Sequence, residues 1–157
     1  MRNLISQTDA KNQTINFSYD ALNRLTGKTY STGMATVTYA YDSTTGGNNG
    51  KGRRTGMSDG SGTMAYKYDS WGRVIGETRT VDSVPYTTTI AYDGASRITS
   101  VTYPTGEVAT QSYNGRGLPY SLGSSVSGTI VTGMQYNSLG LPVQIDLGNS
   151  TRTTWGY

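Results

Sequence analysis

The chain has 157 residues, a size that fits one domain, yet only 34% are apolar, against roughly 45–50% in a typical globular domain, while Gly supplies 21 residues and Tyr 13. With neither Cys nor His, it cannot build disulfides, thiolate or common zinc sites, or Ser-His-Asp and Cys-His catalytic sets. The net charge of +3 comes from 13 basic and 10 acidic residues, with Arg53-Arg54 the only adjacent basic pair, so no stripe tracks a phosphate backbone and no nucleic-acid partner is expected.

In chain order, Ile15, Phe17 and Tyr19 alternate with Asn16 and Ser18, the period-2 pattern of a half-buried strand. The segment Tyr19-Asp20-Ala21-Leu22-Asn23-Arg24-Leu25 then leads into a second predicted strand over residues 25–30, closed by the turn Ser31-Thr32-Gly33. Val37, Tyr39 and Tyr41 restore the alternation. Tyr41-Asp42 opens a second copy that is interrupted before Gly52-Arg53-Arg54, and residues 43–51 read as a flexible surface insertion. After the hairpin turn Asp59-Gly60-Ser61-Gly62, residues Met64, Tyr66 and Tyr68 lead into Tyr68-Asp69-Ser70-Trp71-Gly72-Arg73-Val74. A strand over 74–81 and a turn at Asp82-Ser83-Val84-Pro85 follow. Thr88, Ile90 and Tyr92 then open Tyr92-Asp93-Gly94-Ala95-Ser96-Arg97-Ile98, followed by a strand over 98–103 and the turn Pro104-Thr105-Gly106. Tyr113-Asn114-Gly115-Arg116-Gly117-Leu118-Pro119 and Tyr136-Asn137-Ser138-Leu139-Gly140-Leu141-Pro142 keep Tyr and Gly but carry Asn for Asp and Leu for Arg. A strand over 143–147 and the turn Gly148-Asn149-Ser150 complete the series, with Tyr157 where a seventh copy would begin.

The motif tyrosines stand at 19, 41, 68, 92, 113, 136 and 157, in steps of 22, 27, 24, 21, 23 and 21. A period between about 20 and 50 residues marks stacked units, each burying its apolar side against its neighbours. Two positions before each motif Tyr stand Phe17, Tyr39, Tyr66, Ile90, Gln111, Met134 and Trp155. This column is expected to form a ladder on one sheet face, with neighbouring repeats about 4.8 Å apart and the unit containing Gln111 as its weakest step.

The corner itself has a mechanism. The Asp accepts backbone N–H groups a few residues ahead, and Gly or Asn tolerates a left-handed conformation. Arg pairs with an Asp of its own or the next repeat, or lies on a Tyr ring. Where Asp becomes Asn, at 114 and 137, Arg becomes Leu, at 118 and 141, as expected if the two charges are partners.

Tyr-Asp-x-x-Gly-Arg-Leu at this spacing resembles the YD repeat of the Rhs (rearrangement hotspot) family, shared with teneurins and the shell-forming component of Tc toxins. The resemblance implies an all-β fold, in which stacked β-hairpins form a curved, spiralling antiparallel sheet, here an open segment of an Rhs-type shell. It implies a single YD-repeat array over 1–157 with truncated repeats at both ends. The resemblance further implies a structural module of a shell around a toxin or other cargo polypeptide, secreted or at the cell surface. The autoproteolytic Asp-Pro-x-Gly motif of the family is missing from this sequence, so that activity does not transfer.

The residues expected to hold the repeats together are Tyr19, Asp20, Arg24, Tyr41, Asp42, Gly52, Arg53, Tyr68, Asp69, Gly72, Arg73, Tyr92, Asp93, Arg97, Tyr113, Asn114, Gly117, Tyr136, Asn137 and Gly140. The alternative reading is a carbohydrate- or cell-surface-binding module that stacks sugars on exposed Tyr and Trp, with Trp71 as the candidate platform. Period-2 register favours the aromatics as ladder residues instead. No catalytic residues, cofactor or metal ligands are assigned, and the chain is not expected to be an enzyme. Its only glutamates are Glu77 and Glu107, and its aspartates fall mostly at corners. No apolar run of about 18 residues spans a membrane, and the first five residues lack the apolar core of a signal peptide. Exposed sheet edges predict self-association.

Overall fold

A computed structural model describes residues 3–157, which divide into two compact units with the boundary after Thr87. The first unit holds β1 (Ser6–Thr8), β2 (Thr14–Tyr19), β3 (Leu25–Tyr30), β4 (Val37–Tyr41), β5 (Arg54–Asp59), β6 (Gly62–Tyr68) and β7 (Val74–Val81). Each pairs antiparallel with the next in chain order. β7 turns at Asp82 and Ser83, both at positive φ, into the start of β8 (Val84–Tyr92). The second unit holds the greater part of β8 with β9 (Ile98–Thr102), β10 (Val108–Tyr113), β11 (Pro119–Ser124), β12 (Gly128–Tyr136), β13 (Pro142–Leu147) and β14 (Arg152–Thr154), again antiparallel and sequential. The expected all-β sheet of hairpins is the fold the chain adopts. Among the described residues the sole helical element is a short 3-10 turn at Thr45–Gly47, and no helix is long and apolar enough to cross a membrane.

Within a meander, alternate connections fall at opposite strand ends. In each unit the Tyr-Asp corners therefore share one edge, and the Gly-, Asp- and Pro-bearing turns share the other. Alternation also separates the faces. In the first unit Ile15, Phe17 and Tyr19 are half-buried while Asn16 and Ser18 are exposed, and in β6 Met64, Tyr66 and Tyr68 are half-buried while Thr63, Ala65 and Lys67 are exposed. Small and polar side chains such as Asn16, Ser18, Thr63, Ala65 and Lys67 thus line one face, and Ile15, Phe17, Tyr19, Met64, Tyr66 and Tyr68 the other.

No closed core forms. Val131 is the one buried apolar side chain among the described residues.

The column ladder differs from expectation in one respect. Phe17 faces Lys28, which faces Val37, and Tyr39 faces Met57, which faces Met64. Column residues of successive repeats are therefore two strands apart, because each repeat contributes two strands and the one after the corner stands between. In the first unit Arg54 fills that gap, with its guanidinium 5.8 Å from the Tyr39 ring centroid and 5.4 Å from that of Tyr66. Gln111 sits in a strand paired on both sides, opposite Leu122.

Candidate functional site at the repeat corners

The corners at Asp20, Asp69, Asp93, Asn114 and Asn137 are three-residue hairpin loops, each a type I turn closed by a residue at positive φ. In the first, the Asp20 amide donates to the Arg24 carbonyl and the Asn23 amide to the Asp20 carbonyl, both at 3.0 Å. Asp20 Oδ1 accepts the Leu22 and Arg24 amides, each at 2.9 Å. Asp69 accepts Trp71 and Arg73, and Asp93 accepts Ala95 and Arg97, in the same way. Asn114 and Asn137 do so too, through the amides of Arg116 and Leu118 and of Leu139 and Leu141. The fourth corner residue has positive φ whatever its identity: Asn23 at 60°, Gly72 at 81°, Ser96 at 63°, Gly117 at 79° and Gly140 at 82°.

Because Oδ1 is taken by the backbone, the second carboxylate oxygen is free for the arginine. Arg24 Nε donates to Asp20 Oδ2 at 2.7 Å, Arg73 Nε to Asp69 Oδ2 at 2.6 Å and Arg97 Nε to Asp93 Oδ2 at 2.7 Å. Arg24 reaches further. Its Nη1 and Nη2 donate to Asp42 Oδ1 and Oδ2 at 3.0 and 2.5 Å, and its guanidinium lies 4.4 Å from the Tyr41 ring centroid. All three partners foreseen for Arg therefore meet at this residue. Hydrogen bonds from Arg24, then from the Gly52 amide, hold the Asp42 carboxyl down at about 2. Asp20 is lowered chiefly by the Arg24 amide, and Asp93 by the Arg97 amide.

Four of the tyrosines that open a repeat reach back to the preceding one. Tyr41 Oη donates to the Leu25 carbonyl at 2.8 Å, Tyr68 to Arg54 at 2.7 Å, Tyr113 to Ile98 at 2.8 Å and Tyr136 to Pro119 at 2.7 Å. Tyr19 bonds the Leu4 carbonyl at 2.9 Å. In the four complete cases the acceptor is the residue just after the Arg slot. A one-residue shift in strand register accompanies each corner opened by Tyr19, Tyr41, Tyr68, Tyr92, Tyr113 or Tyr136, as where Tyr19 pairs with Leu25 but Ser18 with Gly27. This bulge bends the second strand beside the corner, where the next tyrosine hydroxyl is received.

Glycine at the fourth position has a second role. A Cβ on Gly72 would run into the Arg53 guanidinium, and one on Gly117 would stand 2.9 Å from Arg97 Nη1. Each of these glycines is the slot in which the arginine of the preceding corner rests.

The interrupted corner departs from expectation. Residues 43–51 do not form a free loop. The closing bond persists, from the Asp42 amide to the Arg53 carbonyl at 3.1 Å, and the Gly52 amide still donates to Asp42 Oδ1 at 2.6 Å. Between them, Asn48 Nδ2 donates to the Tyr66 carbonyl at 2.9 Å while its Oδ1 accepts the Tyr68 amide at 2.8 Å, and the Asn49 amide donates to the Tyr68 carbonyl at 3.2 Å. β5 and β6 pair only from Gly56–Ala65 outward, so an amide side chain completes the ladder where the strands part. Gly50 is buried, with Thr55 Cγ2 and the Ser43 carbonyl where a side chain would go. Arg53 bonds the Lys51 carbonyl at 3.1 Å and lies 5.7 Å from the Tyr68 ring centroid.

Trp71 is 64% exposed at its corner tip, with the Arg73 guanidinium 4.7 Å from its ring. Tyr92 pairs with Ile98 at the foot of its hairpin. A further corner of the same geometry lies at Asp9, which accepts the Lys11 and Gln13 amides while Asn12 takes φ of 60°. It lacks Tyr and Arg, but its Asp-x-x-Asn spacing, identical to Asp20-x-x-Asn23, was a signal available in the sequence.

Residues 3–33 match the family described as RHS Repeat. No curated protein matches the chain in sequence. Among solved structures the chain superposes on TcdB2-TccC3 with a TM-score of 0.84 and on TcdB2-TccC3-Cdc42 with 0.82. It superposes on a Photorhabdus luminescens Tc holotoxin pore with 0.81. Identity is 15% in each case, over 98% of this chain and 9% of the other. The chain therefore spans about a tenth of the length of the solved chains it matches and shares their fold. Residues 3–33 therefore carry the sequence signature of an RHS repeat, and the chain as a whole shares the fold of those solved structures.

Proposed function

We propose that the chain is a non-catalytic structural repeat module, a single array through residues 1–157, forming part of an Rhs-type β-sheet wall around a toxin or other cargo polypeptide outside the producing cell. The observation that carries this reading is where the motif side chains are spent. Tyr41, Tyr68, Tyr113 and Tyr136 each bind a carbonyl of the preceding repeat, and the charged pairs close the corners. A wall needs rigid unit-to-unit joints along a continuous ladder, and these residues supply them.

The test places a protease-sensitive polypeptide next to these repeats in a full-length carrier. The intact repeats should protect it, and the paired changes Arg24→Ala and Asp42→Asn should expose it. Equal digestion with and without intact corners would refute encapsulation.

Self-association belongs to the same reading. Among the described residues β14 pairs with β13 alone, and a strand with one free side is a template for another. Light scattering of the chain at rising concentration should show assemblies; a monomer throughout would remove this element.

A carbohydrate-binding role rests on the exposure of Trp71. Glycan-array binding that disappears in Trp71→Ala, with the fold retained, would favour it. Absence of binding to any glycan leaves the structural reading alone.

A further inference from the structure

Two of the arginine–tyrosine junctions differ in the residue that follows the tyrosine. Arg24 lies 4.4 Å from the Tyr41 ring and bonds both carboxylate oxygens of Asp42. Arg97 lies the same 4.4 Å from the Tyr113 ring, with Nη1 close to Gly117 of that corner. In place of the second aspartate, however, stands Asn114. Its Oδ1 is occupied by the Arg116 and Leu118 amides at 2.9 and 3.1 Å. The group left over is the Nδ2 amide, a donor where the guanidinium needs an acceptor.

Asn114 is followed by Gly115, exposed at the corner tip, with no atom within 4 Å of where a Cβ would lie. The Gly115 amide donates no hydrogen bond among the described residues. An unhindered, unbonded backbone nitrogen next to an asparagine carboxamide is the arrangement for cyclisation. The two amides on Oδ1 also polarise the carbonyl under attack and stabilise charge developing on its oxygen.

We propose that Asn114 is a self-modifying position, at which loss of the side-chain amide supplies the carboxylate that the junction with Arg97 lacks. The Gly115 nitrogen bonds to Asn114 Cγ and gives up its proton, the Cγ–Nδ2 bond breaks, and ammonia leaves. Water then opens the resulting cyclic imide. Opening at the side-chain carbonyl gives aspartate with the backbone restored, and opening at the backbone carbonyl gives isoaspartate. The aspartate product converts the fifth corner to the Tyr-Asp form and turns the Arg97 junction into the Arg24 type.

Two other asparagines serve as internal controls. Asn49 also precedes a glycine, but Gly50 is buried and the Asn49 amide is bonded to Tyr68. Asn137 sits in a corner with the same Oδ1 donors but precedes Ser138.

The purified chain, held warm at mildly alkaline pH, is sampled over time and mapped by peptide mass spectrometry. Amide-to-acid conversion is expected at Asn114 well ahead of Asn49 and Asn137, and Gly115→Ala should suppress it with the circular dichroism unchanged. Asn114→Asp should raise the melting temperature at neutral pH, and that gain should vanish in an Arg97→Ala background. Conversion at Asn114 no faster than at Asn137 overturns the proposal, as does an Asn114→Asp variant whose melting temperature is independent of Arg97.

Discussion

The Arg24 guanidinium lies 4.4 Å from the ring centroid of Tyr41, the residue that opens the following repeat. From that position it bonds Asp20 of its own corner and Asp42 of the next, so one side chain joins two corners and covers the ring between them. A cation over a tyrosine face is attracted by the ring quadrupole, while the carboxylates fix its plane.

This joint is sensitive to acid. The Asp42 carboxyl is held at about 2, below its ordinary 3.8, and Asp20 and Asp93 are lowered as well. Groups depressed on folding stabilise the folded state fully above their unfolded value, and the contribution is lost as pH falls through the folded one. Thermal melts should therefore lose stability between about pH 4 and pH 2. Asp42→Asn should flatten that slope, and a slope equal to the unaltered protein's would contradict the role of Asp42.

Tyrosine hydroxyls form the second joint. Tyr136 Oη is partly desolvated, which raises its pKa, and donates to the Pro119 carbonyl at 2.7 Å. Tyr136→Phe keeps the ring but strands the carbonyl, at an expected cost of about 1 kcal/mol. Urea denaturation should register this as a shift in midpoint at constant slope.

Glycines sort into two classes. A Cβ on Gly50 would meet Thr55 and the Ser43 carbonyl, whereas one on Gly94 would meet nothing within 4 Å. Gly50→Ala should destabilise by about 1–3 kcal/mol, as overpacking does. Gly94→Ala should fall within about 0.5 kcal/mol of the unaltered chain. Equal effects at both positions would refute the docked geometry of the insertion.

Asn48 is a separate test of that geometry. Asn48→Ala removes the partner of the Tyr68 amide and of the Tyr66 carbonyl, and unpaired buried backbone groups cost about 1–3 kcal/mol. Hydrogen exchange should show the Tyr68 amide losing protection while amides in the β6–β7 ladder keep theirs.

Residues 43–51 also mark where sequence reading stopped. Their Gly and Asn content is that of a mobile loop, and the bonds that order them go to Tyr66 and Tyr68, about twenty positions away. Local composition carries no trace of such partners. Likewise the spacing of Gly72 revealed its left-handed backbone, but its second role depends on Arg53, which arrives from another corner.

The sequence by itself determined that this chain is a series of antiparallel hairpins with Tyr-Asp corners, because period-2 alternation and turn residues act over a few neighbouring positions and recur on a fixed schedule. Only the tertiary structure decided how one repeat grips the next. The strand between column residues, the bulge beside each corner, the carbonyl that receives each tyrosine and the arginine that reaches a second aspartate are all settled by strand register. Register emerges when distant strands pair, and no local pattern contains it.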